Sequence, residues 1–197
     1  MELIIVIDYH MGNLRSVSKA LEHEGGDRVR VEISSDPTRI AQADRVVFPG
    51  QGAARDCMSE IHRLGLGDCI RSAIDSKPFL GICMGLEVLL EVSDESPETP
   101  CLGVFEGRVR KLPIERVANE QRLSLPQMGW NTVHYRREHP LWHRIADGSH
   151  FYFANSYHVC PEDESVVMAT TPYAIDFVSA IGRGSLFAVQ FHPEKSQ

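Results

Sequence analysis

The sequence contains no long apolar run and no excess of basic residues. None of its hydrophobic stretches approaches the roughly 20 residues needed to span a bilayer. Its 20 Lys and Arg residues are outnumbered by 27 Asp and Glu residues, which gives a net charge of −7. Because nucleic-acid binding depends on a basic surface, this balance argues against a nucleic-acid partner. We therefore expect neither a membrane span nor a complex with nucleic acid.

Cysteines are few and follow no regular spacing, and no export signal precedes them. The five cysteines are an odd number, which is typical of free thiols rather than of a disulfide framework. Segment 1–7 has no basic residue ahead of its apolar run and does not resemble a signal peptide. These features predict a cytoplasmic protein with reduced thiols, any of which is a candidate for chemistry.

Strand and helix patterns alternate through the first half of the sequence. Its apolar runs are continuous, as in parallel strands buried on both faces. Helices are predicted over 14–24 (with Asn13 as the N-cap), from the 49–52 segment to Leu64, over 68–75, and from Cys83 through Leu90. The second half contains strand patterns over 104–112, 130–135, 151–159, 166–170, 177–181 and 186–191, with a loop over 92–100. We expect an α/β fold in one domain, 1–197. Its central, mostly parallel sheet is flanked by helices, and a smaller antiparallel sheet follows in the second half.

The segment Gly81-Ile82-Cys83-Met84-Gly85 lies at a predicted strand-to-helix junction. It has the form of a nucleophile elbow, G-x-S-x-G, with cysteine in place of serine. The N-terminus of the following helix would stabilise a thiolate, and the next N–H could stabilise an oxyanion. Taken alone, the segment is equally compatible with a buried structural cysteine.

A nucleophilic cysteine needs a base, and the sequence offers nine histidines. His139 and His143 lack a third ligand at metal spacing, so we expect no metal site. His192 follows an apolar run and lies two residues before Glu194, which can accept a bond from the imidazole. Read alone, His192 caps a strand end. Together with Cys83 and Glu194, it fits a nucleophile, base and acid triad.

The segment Pro49-Gly50-Gln51-Gly52 follows another buried strand. Backbone N–H groups flanked by glycine can bind a phosphate or a tetrahedral intermediate. No Lys-Ser/Thr pair follows, which excludes a nucleotide P-loop. A plain strand-to-helix turn is the alternative interpretation.

PGQG, GICMG and FHPEKS, in this order, resemble the signature segments of the class-I (triad-type) glutamine amidotransferases. IDYHMGNLRSVSKALE and PQMGWN (126–131) narrow the resemblance to the family of glutaminase subunits of imidazole glycerol phosphate synthases. The likeness runs from Ile4 to Gln197 and implies a flavodoxin-like fold.

The resemblance implies a glutaminase that needs no cofactor. Cys83 would attack the side-chain amide of glutamine, His192 would transfer the proton, and Glu194 would orient the imidazole. The oxyanion would be bound by the Met84 N–H and by an N–H of Gly50, Gln51 or Gly52, where the family can require a peptide flip. The implied substrate contacts are Glu87, Glu95, Asn155, Ser156 and Tyr157, with Glu95 binding the α-amino group.

The resemblance also implies a heterodimer with a cyclase subunit, a (β/α)8 barrel. Ammonia would pass through the barrel and react with a phosphoribulosyl ribonucleotide to give imidazole glycerol phosphate and an aminoimidazole carboxamide ribonucleotide. Asn13, Trp130, Tyr152 and Lys195 match positions near that interface. For Trp130, a half-buried core position is the alternative.

The sequence departs from the family pattern at three points. Glu87 stands where the family has glutamine, and a carboxylate there would raise the pKa of the cysteine or require a protonated Glu. Gln51 replaces a small apolar residue, and a helix usual in relatives is expected to be missing after 197. The alternatives are a glutaminase of another synthase, a γ-glutamyl hydrolase, or a binding module with a decayed site.

Overall fold

The computed structural model describes residues 1–95, 98–114 and 123–196. The helices are α1 (Leu14–Gly25), α2 (Pro37–Gln42), α3 (Ala54–Arg63), α4 (Gly67–Ser76) and α5 (Met84–Glu87). The strands are β1 (Glu2–Ile7), β2 (Val29–Ser34), β3 (Arg45–Gly50), β4 (Phe79–Cys83), β5 (Val92–Ser93), β6 (Thr99–Pro100), β7 (Gly107–Lys111), β8 (Gln127–Tyr135), β9 (Ser149–Asn155), β10 (Tyr157–Pro161), β11 (Val167–Pro172), β12 (Asp176–Arg183) and β13 (Leu186–Val189).

The parallel part of the sheet has the order β2-β1-β3-β4-β13. Ile5, Val6 and Ile7 of β1 are fully buried, as a strand covered on both faces requires. The carboxyl ends of β3 and β4 lie side by side, with Gly50 paired to Cys83. This register brings two of the predicted functional segments to one edge of the sheet.

The antiparallel part continues from β13 through β12, β10 and β7, and β11, β8 and β9 extend it to the side. Strands β12 and β13 form a hairpin, because they pair around Gly184 and Ser185. The predicted α/β fold, with a mainly parallel first half and an antiparallel second half, is confirmed. In the part of the chain that the structure describes, no helix is long and apolar enough to cross a membrane.

Helix α1 begins as predicted, because the Asn13 side chain accepts a hydrogen bond from the Ser16 N–H at 3.3 Å. The helix predicted through Leu90 is wrong in length, since α5 ends at Glu87. The carbonyl groups of 88–90 bond instead to the backbone N–H groups of 102–105. A helix end set by such distant backbone leaves no local signal in the sequence.

Two other predicted elements differ in the structure. The strand predicted over 151–159 is two strands, because the chain leaves β8 at Asn155 and joins β7 and β12 from Tyr157 onward. The Asn155 side-chain amide stabilises this change by donating to the Tyr157 carbonyl at 2.9 Å. The loop predicted over 92–100 contains the short strands β5 and β6, which pair with each other.

Candidate active site

Cys83 lies at a sharp turn between β4 and α5. Its φ of 56° falls in the left-handed region that residues other than glycine rarely adopt. A Cβ on Gly81 would lie 2.5 Å from the Gly85 carbonyl oxygen, and a Cβ on Gly85 would overlap the Phe48 carbonyl oxygen. Both glycines are therefore required by the close approach of strand and helix. The turn has the predicted elbow geometry.

The Cys83 thiol is buried, with 6% of the residue exposed. Burial raises the pKa of the thiol, the charge of Glu87 raises it further, and a hydrogen bond with the Met84 N–H lowers it. The sequence predicted that the helix after Cys83 would stabilise a thiolate. Because α5 has a single turn, it does so mainly through the Met84 N–H. The thiol is therefore protonated at neutral pH and needs a base to take its proton.

His192 and Glu194 form a buried hydrogen-bonded pair. The imidazole Nδ1 lies 2.9 Å from Glu194 Oε1, and the two side chains are 10% and 3% exposed. Because an ionised carboxylate can only accept, it holds the proton on Nδ1 and leaves Nε2 as the basic nitrogen. The His192 backbone N–H donates to the Tyr152 carbonyl at 2.8 Å, which fixes the turn after β13.

A cavity of about 250 Å³ joins these groups. Its lining contains Gln51, Gly52, Cys83, Met84, Glu87, Glu95, Pro126, Ala154, Asn155, Ser156, Tyr157, His192 and Lys195. The structure thus brings the predicted nucleophile, base, oxyanion segment and substrate contacts to one space. Pro126 and Ala154 were not predicted as site residues, although Pro126 begins the PQMGWN segment and Ala154 directly precedes Asn155.

The oxyanion segment has a defined peptide orientation. The Gln51 carbonyl oxygen accepts a hydrogen bond from Cys57 Sγ at 3.5 Å, on the side of α3. In a trans peptide the next N–H points the opposite way, so this bond also sets the direction of the Gly52 N–H. Gly50, predicted with them, is not among the residues that line the cavity and instead pairs with Cys83 in the sheet.

Glu95, which lines the cavity, also stabilises the start of helix α3. Its Oε2 accepts a 2.7 Å hydrogen bond from the Ala54 N–H, at the start of a helix whose N-cap residue, Ala53, has no side-chain acceptor. This bond anchors a carboxylate in the cavity wall. Asn155, at the end of β9, also lines the cavity, and its buried Oδ1 has no hydrogen-bond partner among the described residues.

Glu87 is buried beside Cys83, and its hydrogen-bond partner was not predicted from the sequence. Gln190 Nε2 donates to Glu87 Oε1 at 2.8 Å. Burial raises the pKa of Glu87 from 4.5 to about 7, the Gln190 bond lowers it, and the charge of Glu95 raises it. Gln190 precedes His192 by two residues, a spacing that puts both on one face of an extended chain and was the available signal.

Three of the four predicted interface residues, Trp130, Tyr152 and Lys195, lie together, and the fourth, Asn13, is the N-cap of α1. Trp130, 49% exposed, packs edge-on against Tyr152 at 6.1 Å between ring centroids. Lys195 Nζ lies 5.3 Å from the centre of the same Tyr152 ring and also lines the cavity. Met128, which was not among the predicted residues, is 68% exposed and lies two residues before Trp130 on β8. Asn13 caps α1 and is absent from the cavity lining.

Comparisons with known proteins agree with this geometry. Residues 5–197 match the model of the family described as glutamine amidotransferase class-I. The chain is 51% identical over 196 residues to the imidazole glycerol phosphate synthase subunit HisH of Nitrosococcus oceani, covering 100% of this chain and 91% of that one. It is 52% identical to the subunit of the same name from Thiobacillus denitrificans, over 98% and 85% of the two chains.

Solved structures support the fold. PurLQS from Thermotoga maritima superposes with a TM-score of 0.73 at 16% identity, over 99% of this chain and 89% of that one. A crystal structure of a glutamine amidotransferase gives 0.71 at 19% identity, over 96% and 90%. The family assignment rests on the family match and on the relatives that are about half identical. The chain belongs to the class-I glutamine amidotransferases and, within them, to the family of the HisH subunits of imidazole glycerol phosphate synthase.

Proposed function

We propose that the protein hydrolyses glutamine to glutamate and ammonia through a thioester on Cys83, and supplies the ammonia to a cyclase subunit in histidine biosynthesis. One observation carries this proposal: Cys83 and His192, whose Nδ1 is hydrogen-bonded to Glu194, line the same cavity of about 250 Å³. The five cysteines are free, which supports a reducing compartment, the cytoplasm.

In the first half-reaction, the Cys83 sulfur attacks the side-chain carbonyl carbon of glutamine while His192 Nε2 takes the thiol proton. The tetrahedral oxyanion is stabilised by the Met84 N–H and by an N–H of the 50–52 segment. His192 then returns the proton to the leaving nitrogen, the C–N bond breaks, and ammonia departs. Glu194 stabilises the imidazolium that exists between the two proton transfers.

In the second half-reaction, water attacks the thioester. His192 takes a proton from the water, the C–S bond breaks, and Cys83 recovers its proton as glutamate forms. The sum is glutamine plus water giving glutamate plus ammonia. In this proposal the Glu95 carboxylate binds the ammonium group of the substrate, while Asn155, Ser156 and Tyr157 border the amino-acid moiety. All four residues line the cavity, which supports these roles.

The partner in this proposal is the cyclase subunit, a (β/α)8 barrel, in a heterodimer. Exposed Trp130 and Met128 offer an apolar contact, and Lys195 lies at both the cavity and the Tyr152 ring. A barrel docked over these residues would receive ammonia without its release into bulk water. The proposed products are imidazole glycerol phosphate and an aminoimidazole carboxamide ribonucleotide.

The test is glutamine hydrolysis by the complex with the cyclase subunit and its nucleotide ligand. Cys83→Ala removes the nucleophile, so we expect turnover to fall by about 10³-fold or more. Cys69→Ala, on α4 outside the cavity, is the matched control and should retain turnover. Catalysis by Cys83→Ala at the rate of the control would contradict the proposal.

A decayed site is the second candidate, and Glu87 beside the thiol is the observation that favours it. A glutamine-mimicking alkylator separates the two. We expect covalent labelling of Cys83 in the complex, whereas a decayed site would leave Cys83 unlabelled.

A further inference from the structure

Glu87, which lines the cavity, forms a buried pair with Gln190 that the proposed hydrolysis steps do not use. Glu87 is 4% exposed and Gln190 is fully buried. The Gln190 amide donates one hydrogen bond to Glu87 Oε1 at 2.8 Å. The Gln190 carbonyl oxygen, Oε1, has no partner among the described residues. If the Glu87 carboxyl group acts only as an acceptor, the pair therefore makes one hydrogen bond and leaves the Gln190 carbonyl oxygen without a donor.

The unpartnered carbonyl oxygen indicates the protonation state of the pair. Buried acceptors without a donor are costly and rare in folded proteins. An ionised carboxylate has no proton to donate, but a carboxylic acid has one O–H. An amide facing a carboxylic acid can form two parallel hydrogen bonds, with N–H to Oε1 and the acid O–H to the amide oxygen. Only the protonated form of Glu87 can complete this pairing with Gln190.

The surroundings of Glu87 also disfavour a negative charge there. Five groups that can carry negative charge interact electrostatically with Glu87. They are Cys57 of α3, Cys83 of β4, Glu95 between β5 and β6, Cys101 directly after β6, and Tyr157 of β10. From the turn after β13 come His192, Glu194 and Lys195, of which His192 and Lys195 line the cavity and Glu194 is bonded to His192. Burial is the largest influence on Glu87, and it raises the pKa to about 7.

We propose that Glu87 is a positioning residue for Cys83 that works as a neutral carboxylic acid held by Gln190, and that its ionisation suppresses thiolate formation at Cys83. The neutral acid leaves the thiolate without a like charge beside it. When Glu87 loses its proton, thiolate formation must place a second negative charge in the same buried space. The consequence for turnover, a loss as pH rises past neutrality, rests on the proposed glutaminase function.

Reactivity of the thiol tests this without glutamine. Iodoacetamide is added to the folded full chain between pH 6 and pH 8.5, and alkylation of the Cys83 peptide is followed by mass spectrometry. We compare the alkylation rate of Glu87→Gln with that of the wild type at each pH. Because a neighbouring charge shifts a pKa by about 1 unit or more, the ratio of the two rates at pH 8.5 should be about tenfold larger than at pH 6.

The control carries the same change of charge outside the cavity. Glu22→Gln on α1 removes an exposed carboxylate paired with Lys19, and its rate ratio to the wild type should not change with pH. A pH-independent ratio for Glu87→Gln would overturn the proposal, because a purely structural effect of the substitution would scale the rate equally at every pH.

Infrared spectroscopy gives an independent measurement on the wild type. The C=O stretch of a protonated carboxylic acid should be present at pH 6, disappear by pH 8.5, and be absent from Glu87→Gln at both. If Glu87→Gln fails to fold, titration of the wild-type band still decides, and its absence at pH 6 overturns the proposal. Neither measurement requires turnover, so failure of the glutaminase assay with these results intact would contradict the proposed function alone.

Discussion

The buried carboxyl of Glu87 makes the stability of the fold depend on pH. Its pKa is 4.5 ordinarily and about 7 here. Between these values the folded protein keeps a proton that the unfolded chain has released, so the free energy of unfolding falls as pH rises. From pH 4.5 to pH 7, we expect the free energy of unfolding of the wild type to fall by about 3 kcal/mol relative to that of Glu87→Gln. Urea denaturation of both proteins measures this, and a constant difference across that range would contradict it.

At the scale of residues, the sequence revealed what lies close together along the chain. His192 and Glu194 are two residues apart, so their pairing followed from spacing, and the structure gives it as a 2.9 Å hydrogen bond. The spacing of Gln190 from His192 could have placed it at the site, but it bonds to Glu87, 103 positions away, and nothing near it in the sequence indicates that partner. The motif could therefore predict a carboxylate beside the nucleophile, but not the amide that holds it.

At the scale of elements, the elbow depends on the contact between β3 and the turn into α5. A Cβ on Gly85 would overlap the Phe48 carbonyl oxygen, so Gly85→Ala must push the two elements apart. We expect a loss of about 1–3 kcal/mol in the free energy of unfolding, as for other overpacked sites, together with loss of glutaminase activity. Chemical denaturation and the assay of the complex measure both effects.

The control for this prediction is Gly67→Ala at the start of α4. A Cβ there would lie 3.4 Å from the end of the flexible Arg71 side chain, so the change should be nearly neutral. Equal stability of the Gly85 and Gly67 variants would show that the close approach at the elbow is not a constraint.

The boundaries of helices and strands were harder to predict from the sequence than their types. Helix α1 carries its own start signal, Asn13, and was predicted to within one residue at its end. Helix α5 ends early because the 102–105 backbone takes the carbonyl groups of 88–90, and strands β9 and β10 separate because they pair with different neighbours. Both boundaries are set by contacts between distant segments.

At the scale of the whole molecule, hydrogen bonds connect the exposed aromatic pair Trp130 and Tyr152 to the turn that contains His192. Tyr152, which packs against Trp130, accepts the His192 N–H through its carbonyl at 2.8 Å. Its own N–H donates to Ser196 Oγ at 3.2 Å, and Ser196 donates to the His192 carbonyl at 2.8 Å. A partner bound on Trp130 and Tyr152 would therefore contact the strand that fixes the position of His192.

This surface gives a prediction about assembly. Large aromatic residues dominate the binding energy of interfaces, and truncating one at the centre of a contact costs about 2 kcal/mol or more. We expect Trp130→Ala to weaken the Kd for the cyclase subunit about 30-fold, measured by titration calorimetry. Leu141, equally exposed at 49% but on the 140–142 turn, is the matched control, and Leu141→Ala should bind as the wild type does. If the two variants lost affinity equally, the cyclase subunit would not dock on the Trp130 face.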